Sequence, residues 1–130
     1  MFLARLDLSN RILYYSSAGH PAFHLPVDGD YRTTDSMDYP IGLVDKMEGA
    51  VDRKISLAKG DVVVIPTDGI YEAGSKQGGS FGIDRMMAVV RANRHQAAKD
   101  IILALYHASR QHMSNMPQED DMAAIVIKAL

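Results

Sequence analysis

The apolar positions of this chain change period once, and the change divides it into a β-rich first part and a mainly helical second part. Phe2, Ala4, Leu6 and Leu8 alternate with more polar neighbours, Ser9-Asn10 supplies a turn, and Ile12-Leu13-Tyr14-Tyr15-Ser16 follows, which is a hairpin pattern. Further short strands are predicted around 22–27, 31–33 and 51–57, with Asp28-Gly29-Asp30 as turn formers among them. Lys59-Gly60-Asp61 turns the chain into the unbroken apolar run Val62-Val63-Val64-Ile65, read as a buried strand. From Ile83 the spacing becomes helical, through Met86, Met87 and Val90. A longer helix over 96–114 carries the stripe Ala97, Ala98, Ile101, Ile102, Leu105, Tyr106 and Met113 and is ended by Asn115 and Pro117. The closing strand is 122–128.

Strands, a helix pair and a last strand, with no βαβ alternation, predict an α+β fold in which antiparallel β-sheets pack helices on one face. The 130 residues and 47% hydrophobic content suit a single folded domain with a real core. A net charge of -2, with Lys and Arg scattered, gives no electrostatic case for nucleic acid. The chain has no cysteine, which excludes disulfides, thiolate catalysis and zinc-thiolate sites and is compatible with a reducing cytoplasm. No apolar run approaches the ~20 residues that a bilayer requires, and the first residues do not order themselves as a signal peptide, so no membrane association is expected.

The chemistry concentrates in Asp68, of Pro66-Thr67-Asp68-Gly69, and Asp120, of Glu119-Asp120-Asp121. Each lies at one end of an apolar strand, so antiparallel pairing of those strands would bring both carboxylates to one sheet edge. Carboxylates crowded together must protonate or take a cation, and hard oxygen donors suit magnesium or manganese. On the residues alone two blander readings stay open: Asp68 as a turn-capping residue, and the acidic run as a solubilising flank of the last strand. Gly69 is expected to permit a tight turn, and Asp121 to point away from Asp120 by strand alternation. Glu72 either supports the ligands from behind or faces solvent. The segment 74–80, rich in glycine and serine, is either a substrate-gating flap or a linker. His20 is expected to support a loop, and His107 and His112 lie about 140° apart on a helix, which forms no zinc pair.

Taken in order, Ala18-Gly19-His20-Pro21, Tyr39-Pro40-Ile41-Gly42-Leu43, Lys59-Gly60-Asp61, Thr67-Asp68-Gly69-Ile70-Tyr71-Glu72-Ala73, Phe81-Gly82 and Asp120-Asp121 resemble the bacterial metal-dependent serine/threonine protein phosphatases of the stage II sporulation protein E type. The resemblance covers nearly the whole chain. It implies that residues 1–130 form the C-terminal part of such a phosphatase domain, lacking the earlier aspartate-bearing metal segment, and contribute to both sheets of a four-layer αββα sandwich. It further implies that Asp68 and Asp120 are ligands in a centre of two Mn2+ or Mg2+ ions, with Gly69, Glu72 and Asp121 around them. The implied substrate is a phosphorylated regulatory protein of the anti-sigma-factor-antagonist kind, in the cytoplasm. Strand edges left open by a partial domain would favour a homodimer. The pattern departs from the family at Ala123, where a threonine is usual, and the alternative is therefore a catalytically inactive phosphatase-like binding module.

Overall fold

The computed structural model describes residues 1–34, 53–76, 78–114 and 116–130, among which seven strands and three helices are formed. The Tyr39–Leu43 motif, the first residues of the predicted 51–57 strand and the helix terminator Asn115 lie outside the described residues.

The first sheet has the order β1-β2-β5, from β1 (Phe2–Asp7), β2 (Ile12–Ser17) and β5 (Arg53–Ser56). β1 and β2 form the expected hairpin. Its turn is closed by the Asp7 carboxylate, which accepts from the Asn10 backbone and side-chain amides at 3.0 Å each, and Arg11 takes a left-handed φ of 53°. Along β2 every second residue, Leu13, Tyr15 and Ser17, is buried, as a strand with one covered face requires.

The second sheet has the order β4-β3-β6-β7, from β3 (Ala22–Leu25), β4 (Arg32–Thr34), β6 (Val62–Pro66) and β7 (Ala124–Lys128), all its pairings antiparallel. All five residues of β6 are buried, because both faces of this sheet are covered. Val63 and Ile65 join Leu13, Ala22 and Leu57 between the sheets, whereas Val62 and Val64 join Phe23 and Leu25 beneath the helices. The result is a sheet–sheet–helix stack, matching the predicted α+β arrangement with strands in both sheets. β1 and β7 are edge strands and leave Leu3 and Ile125 exposed.

The helical layer holds a short α1 (Asp68–Tyr71), then α2 (Ile83–Ala92) and α3 (Ala98–Met113). Met86, Met87 and Val90 of α2 and Ile101, Leu105 and Met113 of α3 form the core against the sheet. Four members of the predicted stripe do not belong to it: Ala97 is the exposed residue before α3, Tyr106 is 45% exposed, and Ala98 and Ile102 are half-buried outside that cluster. The buried line runs at intervals of four, and Ser109 completes it by donating its hydroxyl to the Tyr106 carbonyl at 3.0 Å.

Lys59-Gly60-Asp61 closes the end of the sheets away from Asp68. The buried Asp61 carboxylate accepts from the Val27 N–H at 2.8 Å and the Ala58 N–H at 3.0 Å, and meets His24 Nε2 at 2.9 Å. Burial pushes its pKa up, but these hydrogen bonds together outweigh it and hold the carboxyl below its ordinary value. Arg94, just beyond α2, fastens the same end by donating to the carbonyls of Pro26, Val27 and Gly60, each at 3.1 Å. Among the described residues no helix is long and apolar enough to cross a membrane.

Candidate metal centre

β6 and β7 pair antiparallel in a register that sets Pro66 opposite Ala124, so the chain leaves β6 where it enters β7. Thr67 continues the ladder by donating its N–H to the Ala123 carbonyl at 2.8 Å. Its hydroxyl then accepts from the Ala123 N–H at 2.9 Å and donates to the Asp121 carbonyl at 2.7 Å. Asp68 follows as the first residue of α1, and Gly69 packs onto the acidic segment so closely that a Cβ there would lie 2.5 Å from the Asp121 carbonyl oxygen and 3.2 Å from that of Asp120. The two sequence-predicted ligands therefore flank one backbone contact at one end of one sheet.

Both carboxylates are exposed at this end, and each is oriented by a backbone amide. Asp68 Oδ1 accepts from the Gly69 N–H at 3.1 Å, and Asp120 Oδ1 from the Asp121 N–H at 2.7 Å. Glu72 follows α1, donates its N–H to the Asp68 carbonyl at 2.8 Å, and lines a cleft together with Gly69, Glu119 and Asp120. Tyr71 registers the local field: burial first, and then the charges of Asp68 and Glu72, push its phenol above its ordinary pKa.

Three details differ from the sequence reading. Gly69 is not a turn glycine, since its φ is not positive; its lack of a side chain is what lets α1 approach the Asp120–Asp121 backbone. Strand alternation does not govern Asp121, because β7 begins only at Ala124, and Asp121 acts through its carbonyl. Thr67 was overlooked as a functional residue. Its hydroxyl ties the end of β6 to the backbone of the acidic segment, and its signal was already present as a β-branched hydroxyl residue between strand and aspartate. Gly69→Ala should consequently displace the acidic segment and destabilise the protein by about 1–3 kcal/mol, with a fall in metal affinity; a calorimetric manganese titration and a thermal melt that both match wild type would contradict the contact.

The remaining candidates separate cleanly. His20 sits edge-on to Phe2 and offers its carbonyl to the Ser17 hydroxyl, in keeping with a loop-supporting role. His112 lies at 3.1 Å from Arg85 through Nδ1 and 3.3 Å from the Gly79 carbonyl through Nε2, tying α2 and α3 to the glycine-rich segment. That segment is closed at its base by a Gly74–Ser80 bridge and by the Phe81 N–H donating to the Ala73 carbonyl at 2.8 Å.

The donors at this end are carboxylate oxygens, which in kind fit a hard divalent cation. In number they fall short of a shell: among the described residues no three His, Cys, Asp or Glu side chains form a group able to hold a metal ion. The family model for stage II sporulation protein E matches residues 1–130. The chain belongs to the stage II sporulation protein E family. Protein IcfG of Synechocystis sp. is 27% identical over 128 residues, which are 98% of the chain and 20% of that protein. Among solved structures, the SiaA-PP2C domain of Pseudomonas aeruginosa superposes with a TM-score of 0.82 at 20% identity, covering 98% of this chain and 50% of that one. The manganese-presoaked phosphatase domain of the cell fate determinant SpoIIE from Bacillus subtilis gives 0.67 at 18% identity, covering 99% of this chain and 56% of that one. The fold is thus that of PP2C phosphatase domains, and the chain spans about half the length of these two structures.

Proposed function

We propose that this chain contributes Asp68 and Asp120 to the centre of a metal-dependent serine/threonine protein phosphatase that acts on a phosphorylated regulatory protein, of the anti-sigma-factor-antagonist kind, in the cytoplasm. The observation that carries the reading is the β6–β7 register, which delivers both aspartates to one sheet end. Two Mn2+ or Mg2+ ions, when bound, would supply Lewis acidity and an activated water for attack on phosphorus. Asp68 and Asp120 would hold them, with further oxygen donors completing the set. The chain's own part is to fix these two carboxylates: Thr67 locks the strand ends together, Gly69 permits close approach, and backbone amides orient each carboxylate. The Asp121 carbonyl supports the site from behind by holding Thr67, while Glu72 lines the cleft beside Asp120.

The inactive binding-module reading rested on the missing threonine at position 123. The Thr67 hydroxyl holds the backbone at Asp121 and Ala123 in place, and the metal-dependence of turnover decides between the two readings. The exposed Leu3 and Ile125 on the edge strands support self-association into a homodimer. To test the function, the protein that carries this chain is given a phosphoserine peptide with manganese. Phosphate release that disappears on chelation and returns with manganese is expected; release indifferent to chelation sinks the metal mechanism, and none at all with manganese favours the binding module.

A further inference from the structure

Beside Asp120 lies a cleft of about 130 Å³, between the end of α1, the C-terminal end of α3 and the segment that leads to β7. Its apolar floor consists of Met113, which is buried, and Met116 and Met122, which are half-buried. Among the described residues every charged residue that lines it is acidic: Glu72, Glu119 and Asp120. Arg110 reaches the Met113 sulfur at 3.9 Å but does not line the cleft.

We propose that this cleft receives a lysine or arginine side chain of the substrate, so that the site selects phosphoserine or phosphothreonine flanked by a basic residue. The proposal rests on the phosphatase reading and deepens it by naming the substrate class. A long alkyl stem ending in a cation is the side chain that satisfies both features of the cleft: unbranched methionines adapt to the stem, while the head group reaches the carboxylates at the rim. With Asp120 committed to metal, Glu72 and Glu119 are the charges left to face the peptide. An acidic flanking residue would meet like charge there and be rejected.

The experiment compares phosphopeptides that differ only in carrying Arg, Ala or Glu at one to three positions on either side of the phosphoserine, using the complete protein with manganese. The best Arg peptide should exceed its Ala counterpart by about three- to tenfold in kcat/KM, as one or two rim carboxylates permit, and the Glu peptide should fall below both. Glu119→Gln should remove at least half of the Arg advantage while leaving kcat/KM for the Ala peptide unchanged, and Met116→Ala should weaken it in the same direction. Fluorescence anisotropy with labelled, dephosphorylated Arg and Ala peptides, without metal, gives a second readout in which Arg binds more tightly and Glu119→Gln narrows the difference, Glu72 and Asp120 remaining. Equal turnover of all three peptides, or an Arg advantage untouched by Glu119→Gln, overturns the cleft assignment and leaves the phosphatase standing. Absence of turnover for every peptide overturns the phosphatase reading instead, and anisotropy then decides the cleft by itself.

Discussion

Asp68→Asn or Asp120→Asn is expected to lower manganese-dependent phosphate release on the order of 100-fold or more, because loss of a ligand should exceed the 10- to 100-fold seen on losing groups that merely support ligands. The amide preserves shape and can keep the orienting hydrogen bonds from the Gly69 and Asp121 N–H groups, since each is accepted by a side-chain oxygen that asparagine retains. What disappears is one negative charge holding the cations, so calorimetric manganese affinity should fall in parallel with rate. The melting temperature should stay level or rise slightly, since in metal-free protein the exposed carboxylates repel one another. Should both variants retain full manganese-dependent activity, the chemistry lies elsewhere in the protein.

Leu105→Asn should produce the largest loss of stability, about 4 kcal/mol or more, from removed packing together with an amide buried without a partner. Leu105 is fully buried between α3 and the second sheet, in the cluster that includes Phe23, Val64 and Met86. Tyr106→Asn, one residue further and 45% exposed, serves as the contrast and should change stability by no more than about 0.5 kcal/mol. Thermal or urea unfolding of the two variants side by side checks the facing of α3. Equal losses would mean that the helix is rotated from the orientation described.

Period and polarity made the architecture legible: the 2–16 hairpin, the buried β6, its antiparallel partner β7 and both long helices all lie within a few residues of where alternation and helical spacing put them. Tyr106 was misplaced because a helical stripe drawn from hydrophobicity alone is wider than the line of contact, and an aromatic at its margin scores like a core residue. Asp68 and Asp120 were readable as a pair because strand direction alone takes them to one end of the sheet. The role of Gly69 was not readable, since a glycine needed for a left-handed turn and one needed for close backbone approach look the same in a sequence. Thr67 and the His24–Asp61 pair escaped for another reason: each acts across a long sequence gap, 54 residues from Thr67 to the Asp121 carbonyl and 37 from His24 to Asp61, and no local pattern records such a partner.

The β6–β7 register restricts how this domain can change length. A single residue inserted within Val62–Pro66 or Ala124–Lys128 would slip the ladder, turn one strand's side chains to the opposite face and carry one aspartate out of step with the other. Residues added to the glycine-rich segment, between the Gly74–Ser80 bridge partners, would leave that ladder untouched. Changes of length are therefore tolerated best in the loop beside the cleft lined by Gly74, Glu72 and Asp120, where the register that carries Asp68 and Asp120 stays fixed.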